Sequence, residues 1–403
     1  MKIIVLGGAG GMGATACRQL AAGGALDELV VADLDGARAA KVANELAAKG
    51  ARATSRAIDV LDASALRALL GGTDLVLNCA GPFFRLGVPT LEAAIDSGTH
   101  YLDICDDPEP TLAMLELDEK ARGAGVFAVI GMGASPGVSN LLAARAAKRL
   151  ERVDDCFTAW PLDGAAIPGG DGDLREAGSD AAGRPSAAAV HLMEQISGTI
   201  RIVEGGRLVE RAPLRPIEID YPGAGRGTVY SVGHPEPLTL LGSLGIRGRA
   251  ANAMLLRPAT AAYLELLAKE IDSGALTHEA AASEILSPRT GRGLAAAAKG
   301  LLLRGAGALP PFFAWLRGAR QGRSVTVGCH VTSLPPGMDG ATAIPAALAV
   351  EALLRERPAP GVHAPEAVID PDAFLSVLAR HCPGSPESAD ALAPVVEREE
   401  AAR

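Results

Sequence analysis

A short apolar strand running straight into a cluster of glycines constrains this chain more than any other feature. Residues 1 to 13 read MKIIVLGGAGGMG: Ile3 to Leu6 predict a buried strand, and Gly8, Gly10 and Gly13 fill the glycine positions of G-x-G-x-x-G. The first glycine permits a tight turn, the second lets backbone approach a pyrophosphate, and the third allows helix and strand to touch. A helix starting near Gly11, with Met12 in its first turn, directs free N–H groups and a positive dipole end at those phosphates. In a chain with 48 glycines the spacing alone is weak. Its context strengthens it. An amphipathic stretch follows (Met12, Ala16, Leu20), and Leu29-Val30-Val31-Ala32-Asp33 then places an acid 20 residues beyond Gly13. The expectation is a bound dinucleotide, with Asp33 accepting from both adenosine ribose hydroxyls and repelling a 2′-phosphate, so that NAD is favoured over NADP. Arg38, close enough to reach such a phosphate, keeps NADP as the alternative.

Beyond Asp33 the pattern alternates: a helix over 36–49, a strand near 53–57, a helix over 63–70, and the buried strand of Asp74 to Cys79. A helix over 88–97, a strand at 100–104, a helix over 110–124 and a strand at 126–130 follow. Strands and helices alternating at this spacing predict an α/β domain with a doubly wound parallel sheet of Rossmann type. Ligands in such sheets gather at the carboxyl ends of the strands, where the strand order reverses. Three loops are expected at that edge: Asn78 to Phe83, Cys105 to Asp107, and Gly131 to Asn140. Asn78, Ala80 and Gly81 are candidates to line the nicotinamide ribose, with Pro82 and Phe83 as a stiff apolar wall. Ser139 and Asn140 open an apolar helix over 141–150, where they either cap it or hold a substrate carboxylate.

At 403 residues the chain suits two domains. Residues 1–138 read as the dinucleotide-binding domain with 338–403 returning to it, and 139–337 as a mixed α+β domain for substrate binding and dimerisation. A net charge of −9 without a basic stripe argues against nucleic acid as a partner. The opening residues form a strand rather than an export leader, so the expected compartment is the cytoplasm. Six cysteines without a C-x-x-C pair imply neither a metal site nor a disulfide framework; Cys79 and Cys105 stand near strand ends and are the two to examine. Residues 294–320 mix apolar runs with Lys299, Arg304, Arg317 and Arg320, charges too frequent for a membrane span. They read as a helical hairpin that covers the second domain or makes a subunit contact, with a membrane-surface role as the lesser alternative.

In the second half, a strand at 156–161 leads into a loop over 163–184, rich in Gly and Asp, that resembles a lid. A helix over 186–197, a hairpin of 199–203 with 207–209, and strands near 227–232, 247–256 and 324–333 complete the mixed domain. His234, held in Val232-Gly233-His234-Pro235-Glu236-Pro237, is a candidate to pass a proton to or from an amine near neutral pH. Asp106 and Asp107 are rival bases or anchors for a substrate ammonium group, and would otherwise cap the helix near Pro110. Asp171, Asp173 and Glu176 hint at a basic substrate.

The glycine run 8–13, the loop Asn78-Cys79-Ala80-Gly81-Pro82-Phe83, Tyr101-Leu102-Asp103 and Gly133-Ala134-Ser135-Pro136-Gly137 together resemble the saccharopine dehydrogenase superfamily. The layout is similar to its lysine 6-dehydrogenase branch, most strongly over residues 1 to 160, and Met338 to Pro345 resembles the segment that returns to the cofactor domain. The resemblance implies a nicotinamide-dependent oxidoreductase acting on a CH–NH or CH–NH2 group of an amino acid or polyamine-like substrate; the broad sheet of the second domain suits pairing between subunits, so a homodimer is expected. A chain of the homospermidine synthase type, retaining NAD for net non-redox amine transfer, is one alternative; a non-catalytic dinucleotide sensor is another. Where many members carry Gly-Glu after the Tyr-x-Asp strand, this chain has Cys105-Asp106-Asp107.

Overall fold

The computed structural model describes residues 1–24, 26–162, 185, 187–287 and 289–400. The acidic loop with Asp171, Asp173 and Glu176 lies outside the described residues. In chain order the strands are β1 Lys2–Leu6, β2 Glu28–Asp33, β3 Ala53–Ala57, β4 Leu75–Asn78, β5 His100–Asp103, β6 Phe127–Val129, β7 Arg152–Pro161 and β8 Ile200–Glu204. They continue with β9 Arg207–Arg211, β10 Pro216–Tyr221, β11 Gly225–Val232, β12 Ala250–Leu255, β13 Phe313–Arg320, β14 Arg323–His330, β15 Gly361–His363 and β16 Val395–Glu399. The chain divides into two compact units, one of residues 1–141 and 339–385, the other of 142–338 and 386–403.

In the first unit a seven-stranded sheet runs β15-β6-β5-β4-β1-β2-β3, with every pairing parallel. The order reverses between β1 and β4, as a doubly wound sheet requires, and β15 extends it beyond β6. Ile3 to Leu6, Leu29 to Ala32 and Leu75 to Leu77 are all buried. Strands covered on both faces need such continuous apolar runs rather than alternation. Two helices differ from expectation. Phe83–Asp96 starts five residues early and carries Pro89 inside it, and the segment expected as one helix over 110–124 is two, Pro108–Leu115 and Asp118–Gly123.

In the second unit the sheet is mixed, ordered β10-β11-β12-β7-β13-β14-β16, with β8 joining β12 and β9. The expected helical hairpin over 294–320 is corrected here. Thr290–Gly300 is helical, but Phe313–Arg320 is a central strand paired with β7 and β14. Ala, Leu and Arg favour helix in isolation; burial of Phe313, Ala314, Trp315 and Leu316 between two neighbouring strands overrides that preference. The tail also departs from expectation. Residues 386–403 fall in the second unit, where β16 pairs antiparallel with β14. Arg145, itself buried, holds this tail by donating to the Ala389 and Ala393 carbonyls at 2.8 and 3.1 Å and pairing with Asp390. By length and composition the helix Gly337–Arg355 is apolar enough to cross a membrane, and its Ala343 and Pro345 to Val350 are buried in the fold.

Candidate functional site

The glycine loop between β1 and the helix Gly11–Ala22 is built from close approaches. The turning residue is Gly7, one ahead of the expected triplet: its φ is +68°, and a Cβ there would lie 2.7 Å from the Cys79 carbonyl oxygen. A Cβ on Gly8 would meet Val31 Cγ1 at 2.8 Å, and one on Gly13 would fall on the Gly7 carbonyl and lie 2.8 Å from Gly8 Cα. Gly10 is different. A Cβ there would meet the Gly7 carbonyl oxygen at 3.3 Å and nothing else within 4 Å, so its outer side is open. Gly10 is also the N-cap of the helix, which has no acidic residue in its first turn. Packed glycines behind and an open one in front fit a pyrophosphate on the free N–H groups of Gly11 and Met12.

Both residues expected at the adenosine ribose contact the same loop residue, Ala9. Ala9 donates its N–H to Asp33 Oδ2 at 2.9 Å, and its carbonyl accepts from Arg38 Nη2 at 2.9 Å. The other Asp33 oxygen accepts the Asp35 N–H at 3.0 Å. Asp33 therefore uses both oxygens to hold the loop, and Arg38 places a guanidinium at the same edge.

A buried polar chain ties together the ends of β4, β5 and β6. Asn78 Oδ1 accepts the Ala80 N–H at 3.0 Å, fixing the first turn of the 78–83 loop, and its Nδ2 donates to the Tyr101 hydroxyl at 3.1 Å. Tyr101 donates to Asp103 Oδ2 at 2.8 Å, and Asp103 Oδ1 accepts N–H groups from Gly131 at 2.7 Å and Cys105 at 3.0 Å. Asn78, Tyr101 and Asp103 have no exposed surface. Burial raises the Asp103 carboxyl to about 6 despite these donors. Sequence reasoning named Asn78 but not Asp103 as a site residue; the signal was the Tyr-x-Asp spacing, which puts both side chains on one face of a strand.

Gly81 and Pro82 are exposed at the head of this loop, with Phe83 buried behind them. Asp107 is the N-cap of Pro108–Leu115, but its side chain does not cap that helix; its carbonyl accepts the Thr111 hydroxyl at 2.8 Å. Asp106 beside it is partly exposed. Burial pushes the Cys79 thiol up to about 12 and raises Cys105 as well. Ser139 and Asn140 are buried, and Asn140 is a brace: Oδ1 accepts the Gly137 N–H at 3.0 Å and Nδ2 donates to Glu366 Oε2 at 2.9 Å.

In the second unit, His234 follows β11 and leads into the helix Glu236–Leu244. It is buried rather than in a surface turn, only 3% exposed, and its Nδ1 lies 3.0 Å from Glu236 Oε2. Asn252 on β12 donates to Glu236 Oε1 at 2.8 Å and to Thr158 Oγ1 at 2.9 Å, and accepts the Trp160 indole N–H at 2.8 Å. The Trp160 and His234 rings are 5.7 Å apart. Glu236, Asn252 and Trp160 are residues that sequence reading did not select.

Residues 3–129 match the saccharopine dehydrogenase NADP binding domain. Carboxynorspermidine synthase of Vibrio cholerae is 28% identical over 257 residues, 59% of this chain and 58% of that protein. Carboxyaminopropylagmatine dehydrogenase of Synechocystis is 28% identical over 156 residues, 37% of this chain and 38% of that protein. Rat saccharopine dehydrogenase-like oxidoreductase is 34% identical over 76 residues, 19% and 18% of the respective chains. The matched stretches thus span 11% to 58% of the lengths of the curated relatives. The apo saccharopine dehydrogenase (L-Glu forming) of Saccharomyces cerevisiae shares the fold across 99% of this chain and 100% of its own, with a TM-score of 0.58 and 15% identity. A nicotinamide cofactor follows from the domain match, and the NADP in its description runs against the expected preference for NAD.

Proposed function

We propose, from the premise that residues 3–129 belong to the saccharopine dehydrogenase NADP-binding domain family, that this chain is an NADP(H)-dependent oxidoreductase acting on a CH–NH group. Its substrate class is a carboxylate-bearing amine, an amino acid or polyamine adduct, by analogy with the carboxynorspermidine and carboxyaminopropylagmatine enzymes it resembles. The observation that carries this reading is the glycine loop, with an open Gly10 at a helix start and packed Gly7, Gly8 and Gly13 behind it. The cofactor, when bound, supplies hydride transfer at the nicotinamide ring; the protein's part is to bind, orient and exclude water. Gly11 and Met12 supply N–H groups for the pyrophosphate. Asn78 holds the 78–83 loop in register beside it.

Arg38 supports NADP over NAD, because the guanidinium that donates to the Ala9 carbonyl stands at the edge of the glycine loop where it can also meet a 2′-phosphate. Arg38→Ala is expected to weaken NADPH binding about tenfold or more and to leave NADH nearly unchanged, measured by fluorescence or calorimetric titration. Equal affinities in both proteins would sink the NADP assignment. Activity is tested by following absorbance at 340 nm with amines, amino acids and keto acids in both directions. A cofactor that copurifies while no 340 nm change occurs would instead favour retained-cofactor amine transfer.

A further inference from the structure

In the first unit, one line of buried side chains leaves each donor and acceptor a single direction. The Ala80 N–H can only donate, so Asn78 must turn Oδ1 towards it at 3.0 Å, which leaves Nδ2 to donate to the Tyr101 oxygen at 3.1 Å. Among the described residues the Tyr101 hydroxyl has no partner but Asn78 and Asp103, so its hydrogen goes to Asp103 Oδ2 at 2.8 Å. Asp103 Oδ1 already takes two N–H groups, from Gly131 at 2.7 Å and Cys105 at 3.0 Å. Both carboxyl oxygens therefore face donors alone, an order that only the ionised acid satisfies. The pleat puts Tyr101 and Asp103 on one face of β5, and the register sets Asn78 opposite Asp103. Three loops at the carboxyl ends of β4, β5 and β6 thus meet on one carboxylate: 78–83 through Asn78, 105–107 through Cys105 and 131–140 through Gly131.

We propose that Asp103 is a positioning residue for the cofactor loop, its ionised carboxylate holding Tyr101 and Asn78 in the one donor order that gives Ala80 an acceptor. This rests on the dinucleotide reading above. A proton can enter only at Oδ2, since two N–H groups occupy Oδ1. The new O–H must donate to the Tyr101 oxygen, and the Tyr101 hydrogen then turns to Asn78. Nδ2 cannot accept it, so the amide rotates and Oδ1 takes the hydroxyl. Nδ2 then confronts the Ala80 N–H, donor against donor, and the turn that opens the 78–83 loop loses its hydrogen bond. Burial raises the Asp103 carboxyl to about 6, and the titratable groups around it are Tyr101 on its own strand, Cys79 at the end of β4, and Cys105 and Asp106 in the loop that follows. Burial raises Tyr101, Cys79 and Cys105, so all three keep their protons while Asp103 titrates. The loop is held above this range, and its hold on the cofactor weakens as pH falls through 6.

The relay can be read at the Ala80 amide, because Cys79-Ala80 is the one Cys-Ala step in the sequence. Labelling with carbonyl-¹³C cysteine and ¹⁵N alanine gives it a single resonance in an HNCO spectrum. That resonance is expected to titrate near pH 6 in the wild type and to stay fixed in Tyr101→Phe, which lacks the hydroxyl that carries the change. In Asp103→Asn the Gly131 and Cys105 N–H groups claim the amide oxygen and leave the NH2 facing Tyr101, so this variant imitates the protonated acid at every pH. Calorimetric titration with NADP⁺ between about pH 5 and 8 reads the effect on binding. Wild-type affinity should fall about three- to tenfold relative to Tyr101→Phe as the acid takes up its proton, and Asp103→Asn should be weaker by a similar factor throughout. Titration of the cofactor's own 2′-phosphate is common to all three proteins and cancels in the comparison. An Ala80 resonance that does not titrate in the wild type, or that titrates equally in Tyr101→Phe, would overturn the relay. So would parallel affinity profiles in those two proteins. The wild-type spectrum needs no variant, so misfolding of either variant leaves the test intact. If none of the proteins binds NADP⁺ at any pH, the cofactor reading fails while the resonance still decides the relay.

Discussion

The glycines of the first loop divide by what surrounds them, and that division predicts how substitutions behave. A Cβ on Gly13 has no room against Gly7 and Gly8, whereas one on Gly10 meets a single carbonyl oxygen at 3.3 Å. Gly13→Ala is therefore expected to destabilise the protein by about 1–3 kcal/mol through a forced shift of the loop. Gly10→Ala should keep nearly the wild-type melting temperature and lose dinucleotide affinity, because its new methyl group occupies the side a pyrophosphate needs. Thermal melts paired with NADPH titrations check both; loss of binding by Gly10→Ala only in step with loss of fold would count against the open-side argument. At this scale the sequence was highly legible. The G-x-G-x-x-G spacing, set between an apolar strand and an amphipathic stretch, marked the close approaches, and the displacement of the turn to Gly7 needed coordinates. Stiff local context singled out His234 in the sequence, but not the Glu236 that its ring contacts. Glu236 sits within the same run of prolines, and Asn252, which holds it, lies 16 residues on in the neighbouring strand β12.

Among the elements, the ends of β4, β5 and β6 are linked by Asn78, Tyr101 and Asp103 rather than by backbone pairing alone. The Asp103 carboxyl titrates at about 6 in the fold against an ordinary 3.8, with burial the main cause and the nearby Asp106 adding to it. Tyr101, Cys79 and Cys105 are the other titratable groups around it, and burial raises all three. The folded state therefore holds this proton more tightly than the unfolded chain. The stability so gained is complete below about pH 4, falls as pH rises towards 6, and is gone above it. The span is on the order of 2 to 3 kcal/mol. Chemical denaturation of wild type and Asp103→Asn between pH 4 and 7 should show the wild type losing stability relative to the variant over this window, and parallel curves would refute the burial argument. The second sheet teaches the opposite lesson about legibility. Phe313–Arg320 was read as part of a helical hairpin because apolar runs alternate with basic residues over 294–320, and it became a strand because β7 and β14 offer pairing along both edges.

Across the whole molecule, the chain leaves the first unit after Leu141, returns at Asp339 and leaves again after Ser385. The last crossing was the hardest to foresee. Residues 338–403 were expected to return to the dinucleotide-binding domain, yet β16 completes one side of the second sheet and the buried Arg145 fastens the segment before it. Arg145→Ala would leave the Ala389 and Ala393 carbonyls without this donor and is expected to cost about 3 kcal/mol. The measurement is the melting temperature together with limited proteolysis. The variant should be clipped near residue 386 at protease concentrations that leave the wild type intact, while NADPH affinity is retained. Unchanged cleavage would mean that β16 pairing alone secures the tail.

The parallel sheet of the first unit, its strand ends and its dinucleotide loop could be read from residues close together in the chain, because continuous apolar strands, glycine spacing and a downstream acid are local instructions with one low-energy solution. The 78–83, 105–107 and 131–140 loops were legible as strand ends for the same reason. Choices between distant partners had no such local mark. Where the final strand pairs and which segment Arg145 holds were set by contacts made across dozens to hundreds of residues. Burial then decided how each polar group was held, since a buried donor or acceptor must find its partner wherever the fold brings one.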